Sequence, residues 1–175
     1  MNRARVLKTI GAVAISLVTG PALAQYAPPA PDWSAWKPLV GEWQADPTGA
    51  NGPRGGFTLA PELDGRVLVR KNFAEYPKSG DRPASRHDDL MIVYRENSTT
   101  RADYWDNEGH VIRYAVTVEK KTFTFISDAV ANQPRFRLSY AFTADDALAI
   151  TFEIAPPNAP DRFKPYIRAT AHRKR

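Results

Sequence analysis

Residues 110–155 decide the fold of this 175-residue chain and read HVIRYAVTVEKKTFTFISDAVANQPRFRLSYAFTADDALAITFEIA. Apolar and polar side chains alternate there with a period of two, and the pattern is interrupted by turns at residues 120–121 and 144–146. A period of two sends successive side chains to opposite faces of a sheet. The stretch therefore predicts four consecutive antiparallel strands, each with one apolar face turned toward a common interior.

The rest of the chain extends this meander. Shorter strand patterns occur at residues 41–47, 57–63, 66–73, 90–95, 101–106 and 166–173. Asp64-Gly65 is typical of a two-residue hairpin turn, and Asp32 is a suitable N-cap for a helical turn over residues 32–39. No helical pattern is long enough to cover a sheet, so the sheet must bury its apolar face by closing on itself. We predict an all-β, antiparallel up-and-down barrel of about ten strands with a short N-terminal helical turn.

The N-terminus has the pattern of a secretory signal peptide, which we assign to residues 1–24. Basic residues precede an apolar run at residues 10–18, and Ala22-Leu23-Ala24 supplies a cleavage site. The run is shorter than the roughly 20 residues of a membrane span. The protein is therefore expected to be periplasmic or secreted in a bacterium, with no membrane span in the mature chain.

The remaining residues are predicted to form a linker at 25–31 and one folded domain at 32–175. The whole chain has 24 basic and 19 acidic residues, but some of the basic ones lie in the leader, so the mature chain is close to neutral. This charge balance argues against a nucleic-acid partner. The chain has no cysteine, which excludes thiol catalysis, thiolate metal sites and cysteine-ligated haem.

Three short motifs resemble the lipocalins and their calycin relatives. Residues 41–43 read Gly-Glu-Trp at the start of the first strand and resemble the Gly-x-Trp signature of that superfamily. Residues 61–66 and 104–110 resemble segments of uncharacterised, exported lipocalin-like bacterial proteins. The resemblance spans roughly residues 33–173 and implies a calycin-like β-barrel.

The resemblance also implies how one end of the barrel is closed. In these families the signature tryptophan, here Trp43, plugs that end, and a basic residue of the last strand packs over it. Arg168 and Arg173 are the two candidates, and Arg168 is the residue assigned to barrel closure. Nitrobindin-like haem barrels take their ligand from a late-strand histidine, but alternation along the last strand turns His172 outward. We therefore predict no cofactor.

Two polar clusters are candidates for chemistry. His87 and Asp89 share one face of a strand, and either a metal ion or proton transfer would suit a histidine beside a carboxylate. Asp106, Glu108 and His110 occupy a hairpin tip at the predicted rim of the barrel. A solvated loop end explains the first cluster better than chemistry does, and an ordinary turn explains the second better, so no catalytic or metal residue is assigned. If His87 and His110 meet at the same rim, a metal site or an acid–base pair becomes credible.

Aromatic residues of the central strands give the functional prediction. Tyrosine combines an apolar ring with one polar group, which suits a cavity that orients a ligand. We predict an exported protein that binds a small apolar or amphipathic molecule inside the barrel. The predicted ligand-binding residues are Tyr104, Tyr114, Phe125, Phe136, Tyr140 and Phe152. Two alternatives remain: a barrel enzyme of isomerase, cyclase or hydrolase type that uses His87, Asp89 and His110, or an envelope structural or interaction module with a filled core.

Overall fold

Ten antiparallel strands close into one barrel in the computed structural model, which describes residues 29–47, 49 and 52–174. Each strand pairs with its neighbours in sequence, and the first pairs with the last. The strands are β1 (Gly41–Ala45), β2 (Arg54–Glu62), β3 (Val67–Tyr76), β4 (Ser85–Glu96), β5 (Thr99–Asp106), β6 (Val111–Glu119), β7 (Thr122–Ser127), β8 (Arg135–Ala144), β9 (Ala147–Ala155) and β10 (Lys164–Arg173). The predicted all-β barrel of ten strands is confirmed.

The predicted signal peptide and most of the predicted linker lie outside the described residues. Among the residues that are described, no helix is both long enough and apolar enough to cross a bilayer. The short N-terminal helix is a 3-10 turn at Ser34–Trp36, and Asp32 Oδ1 accepts the backbone N–H of Ser34 at 2.8 Å.

Alternation along each strand decides which side chains enter the barrel. On β6, Tyr114 and Val116 are buried while Arg113, Ala115 and Thr117 are exposed. The apolar members of the inward set form one hydrophobic core, which includes aromatic side chains from several strands. Burial of this set from all around the barrel is the main favourable contribution to folding.

The two ends of the barrel differ in how they are covered. Short connections at residues 63–66, 97–98, 120–121 and 145–146 lie at one end, and the other connections, most of them longer, lie at the opposite end. Trp36 crosses the end with the short turns and packs on Phe123, with ring centroids 5.0 Å apart. The Trp33 indole N–H donates to Gly65 O at 2.7 Å and so ties the helical turn to the β2–β3 connection. We call this the closed end and the opposite one the open end.

Arg173, not Arg168, completes the closed end. Its guanidinium lies over the Trp43 ring, 4.4 Å from the centroid, and donates to Val40 O at 2.8 Å and to Pro38 O. Arg168 is exposed on the outer face of β10, where it pairs with Thr151. The assignment of barrel closure to Arg168 is corrected for this reason: Arg173 shares the inward side with Ala171.

Two predicted boundaries also need correction. The β2–β3 connection is a four-residue turn rather than a two-residue one, because Glu62 pairs with Val67. Leu63, Asp64 and Gly65 all have positive φ there. Strand β4 begins at residue 85 rather than 90, so the first polar cluster belongs to a strand and not to a loop.

Candidate functional site

A buried ion pair lies at the centre of the barrel. Arg70 points inward from β3 and donates to Asp89 Oδ1 on β4 and to the Tyr140 hydroxyl on β8. Asn72 Nδ2 donates to the second oxygen of Asp89 at 2.8 Å. Burial alone lowers the pKa of Arg70, but the adjacent Tyr140 and Asp89 outweigh it and raise the pKa above its usual value. The guanidinium therefore stays charged in the interior.

The contact between Arg70 and Tyr140 divides the interior. Strands β3 and β8 lie opposite each other in a ring of ten, with four strands between them on either side. The hydrogen bond therefore runs across the barrel rather than between neighbours. The closed half, on one side of this bridge, contains the aromatic core, where the Phe57 ring packs at a tilt on the Tyr140 ring with centroids 5.2 Å apart. The open half lies on the other side.

His87 continues the polar network toward the open end. Its Nε2 lies 3.1 Å from the Tyr104 hydroxyl and 3.3 Å from Asp89 Oδ2, while Nδ1 lies 3.1 Å from Glu108 Oε1. The Tyr104 hydroxyl donates its proton to Asp106 Oδ2 at 3.1 Å. Burial raises the pKa of Tyr104, and the carboxylates of Asp89 and Asp106 raise it further.

Asp106 organises the β5–β6 hairpin at the rim. Its Oδ1 accepts the backbone N–H groups of Glu108 at 3.0 Å and His110 at 2.9 Å, and its Oδ2 lies 2.8 Å from His110 Nδ1. Burial acts to raise the pKa of Asp106, but the hydrogen bonds from His110, Tyr104 and Glu108 hold it below its usual value. Gly109 completes the turn with a φ of +91°.

Three potential metal ligands converge at this rim. One side-chain ligand atom each from His87, Asp106 and Glu108 lies within 4.8 Å of the others. His110 lies beside the same carboxylates, and its Nδ1 is 4.0 Å from Glu108 Oε2. The two histidines that the sequence analysis considered separately therefore both contact Glu108.

The opposite wall of the open half is aromatic. The rings of Phe136 on β8 and Phe152 on β9 are stacked, with centroids 5.8 Å apart, and Tyr166 of β10 makes an edge contact with Phe152 at 6.4 Å. Both phenylalanines face inward but are only half-buried. The open half thus has one polar, acidic side and one apolar side.

A pocket on the barrel wall reaches the polar side. It has a volume of about 410 Å³ and lies between β3, β4 and β5. Its lining consists of Lys71, Asn72, Asp88, Asp89, Leu90, Trp105 and Asp106. Asp89 and Asp106 are shared between this pocket and the polar network.

The predicted ligand-binding residues fall into two groups. Tyr104, Phe136 and Phe152 are half-buried around the open half. The other three are almost fully buried in the core: Tyr114, Phe125 and Tyr140.

Arg70 and Asn72 are site residues that the sequence analysis missed. Their signal is a break in the apolar alternation of β3, where inward positions after Leu68 become polar. Asp89 was singled out, but its partner Arg70 was not. No protein-family model matches the chain, and no curated protein matches it significantly. The interpretation of the site therefore rests on its geometry.

Proposed function

We propose that the protein binds a small amphipathic molecule in the open half of the barrel. The observation that supports this is a gradient of burial among inward-facing aromatic side chains. Phe123 and Phe125 in the closed half are each 2% exposed, whereas Phe136 and Phe152 in the open half are half-buried. A core filled along its whole length would bury both pairs equally.

The two walls suit the two parts of such a ligand. An apolar portion would pack on Phe136 and Phe152, and covering about 150 Å² of apolar surface contributes roughly 4 kcal/mol before the costs of binding. A cationic or hydrogen-bond-donating group would face Asp89 and Tyr104, because the polar wall carries more carboxylates than cations.

Membership of the calycin superfamily is part of the same proposal. The Gly-Glu-Trp motif at residues 41–43 opens β1, and Arg173 covers Trp43 at the closed end as the resemblance implies. The closed antiparallel barrel is compatible with that superfamily. The leader-like residues 1–24 support a role outside the cytoplasm.

Native mass spectrometry of the purified protein, followed by titration with the fluorescent amine N-phenyl-1-naphthylamine, tests the proposal. We expect saturable binding of the probe at one site. Phe152→Ala should weaken it about tenfold, which corresponds to a loss of about 1.4 kcal/mol. Leu63→Ala is the matched control, since Leu63 is 72% exposed in the β2–β3 connection at the closed end and its replacement should leave binding unchanged.

A homogeneous ligand-free mass together with no saturable probe binding would contradict the proposal. So would a loss of binding in Leu63→Ala with normal binding in Phe152→Ala, because that result places the probe on the surface of the closed end. Circular dichroism of each variant separates a lost site from a lost fold.

A barrel enzyme is the second candidate, and the position of His87 favours it. His87 points into the open half beside Tyr104, with Asp89 behind it. A histidine and a tyrosine in contact provide a route for proton transfer to a bound molecule. If the protein transfers protons to its ligand, a ligand recovered after incubation in deuterated water should carry deuterium at an exchangeable carbon, and His87→Asn should abolish this exchange. An unlabelled ligand would contradict the candidate.

A further inference from the structure

We propose that His87, Asp106 and Glu108, with His110 as a fourth ligand, form a binding site for a divalent transition-metal ion of the zinc type. The three side chains come from β4, from the end of β5 and from the turn that follows, and their ligand atoms lie within 4.8 Å of one another. Bonds of about 2.1 Å place tetrahedral zinc ligands roughly 3.4 Å apart. Small side-chain rotations would therefore bring the group to coordination distance.

The hydrogen bonds around Tyr104 determine which nitrogen of His87 can bind a metal. The Tyr104 hydroxyl has one proton and donates it to Asp106 Oδ2. His87 Nε2 faces the oxygen of that hydroxyl and also Asp89 Oδ2, and both are acceptors. Nε2 must therefore carry the hydrogen, which leaves the Nδ1 lone pair available in the neutral ring.

The lone pair of Nδ1 then faces a second acceptor. Glu108 Oε1 lies 3.1 Å away, and two acceptors at this distance repel each other unless a positive charge lies between them. A metal ion coordinated by both atoms would supply that charge, as would a proton on Nδ1, and direct titration with a metal distinguishes the two. His110 Nδ1 lies beside the same carboxylates, 2.8 Å from Asp106 Oδ2.

Asp89 is placed to orient His87 as a metal ligand, because it accepts the N–H of the ring nitrogen that does not bind the metal. Such a histidine usually donates its other N–H to a carboxylate, which fixes the ring and makes the coordinating nitrogen more basic. Asp89 is buried and is itself held by Arg70 and Asn72. An ordinary surface turn does not require a histidine ring fixed from behind by a buried ion pair.

The donor set selects the type of metal. Two imidazoles and two carboxylates suit zinc and its neighbours in the first transition row, whereas magnesium and calcium prefer oxygen ligands throughout. The site lies at the rim, beside the open half, so its occupancy does not depend on the ligand proposed for the barrel interior.

Isothermal titration of the untagged, chelator-treated protein with zinc chloride tests the site, and cobalt(II) provides a spectroscopic report. We expect one saturable ion per chain and, with cobalt, visible absorption bands typical of four-coordinate geometry. His87→Asn and Glu108→Gln should each weaken binding at least about tenfold. Both side chains are at least partly exposed, so the fold should persist.

His172→Asn is the matched control. His172 Nε2 lies 3.2 Å from Asp46 Oδ2 on the outside of the barrel, and among the residues that the structure describes this pair belongs to no group of three potential ligands. This variant should bind zinc as the unmodified protein does. Absence of saturable zinc binding would overturn the proposal. It would equally be overturned if His172→Asn abolished binding, or if His87→Asn and Glu108→Gln bound zinc normally.

Discussion

Arg70 and Tyr140 lie on strands that face each other across the barrel, and their side chains are hydrogen-bonded in its interior. Seventy residues of sequence separate them. The same guanidinium holds Asp89, the residue behind His87. One buried cation thus connects the opposite wall of the barrel to the polar network at the open end.

Replacing Tyr140 with phenylalanine tests the strength of this bridge. The substitution leaves one N–H group of Arg70 buried without an acceptor, and such a loss costs about 1–3 kcal/mol. We expect the free energy of unfolding in urea to fall by that amount. Tyr166→Phe is the control, because Tyr166 is 71% exposed and should change stability by less than about 0.5 kcal/mol. Equal stability of the two variants would show that the bridge does not contribute.

Removing the buried cation should be more damaging than removing the hydroxyl. Arg70→Met leaves the Asp89 carboxylate buried without its partner, which costs about 3–5 kcal/mol. Adding Asp89→Leu to Arg70→Met removes the unpaired charge, so the double variant should be more stable than the single one. Urea unfolding of both variants measures the difference. A double variant less stable than Arg70→Met would contradict this account of the ion pair.

Alanine substitutions at two glycines with positive φ distinguish the cost of backbone strain from the cost of a steric clash. A methyl group at Gly41 would lie 2.6 Å from Arg173 Nη1, whereas one at Gly80 would meet no atom within 4 Å. Gly80→Ala should therefore cost only the backbone penalty of about 1 kcal/mol. Gly41→Ala should cost more, since it also displaces Arg173 from Trp43. Thermal unfolding followed by tryptophan fluorescence compares the stability of the two variants. Equal losses of stability would mean that Arg173 moves away from the new methyl group without a free-energy cost.

Glu153 should make the stability depend on pH. Its pKa is lowered in the folded protein, chiefly by hydrogen bonds from Arg137, one of them 2.8 Å long. The stabilisation is therefore present above the pKa of the unfolded carboxyl, near 4.5, and is lost as the pH falls through the lower folded value. Glu153→Gln should reduce stability by about 1 kcal/mol at pH 7, and the difference from the unmodified protein should shrink below about pH 4.

Denaturant unfolding at pH 7 and pH 3 checks this dependence. Asp145→Asn is the control, since Asp145 is almost fully exposed in its pair with Lys121. It should change stability little at either pH. A Glu153→Gln deficit that is equally large at pH 3 would show that the effect comes from packing rather than charge.

The sequence predicts the barrel well because burial on one face of each strand leaves a periodic trace. The same alternation also predicts which arginine closes the barrel. Ala169 and Ala171 face inward, so Arg173 faces inward as well and Arg168 faces outward. The start of β4 was missed because His87 and Asp89 occupy inward positions, where a strand pattern is expected to be apolar. In a sequence, polar residues at inward strand positions resemble a loop unless the residues that they contact are known.

Those partners are distant in sequence. Nothing near Arg70 in the chain indicates that it meets Tyr140, because that contact follows from strand order and barrel closure rather than from local pattern. The meeting of His87 with His110 at one rim was raised only as a condition for the same reason. Local chemistry identified candidates, while the closed topology decided which of them lie together.

The pairing of Trp43 with Arg173 has a consequence for how the chain folds. The first strand of the barrel hydrogen-bonds to the last, so the ring closes only after a loop of more than a hundred residues has formed. Contacts of such long range make folding slow. During synthesis one edge of β1 stays unpaired until β10 emerges. Trp43 is therefore among the first core residues made, but Arg173 can cover it only after nearly the whole domain has been synthesised.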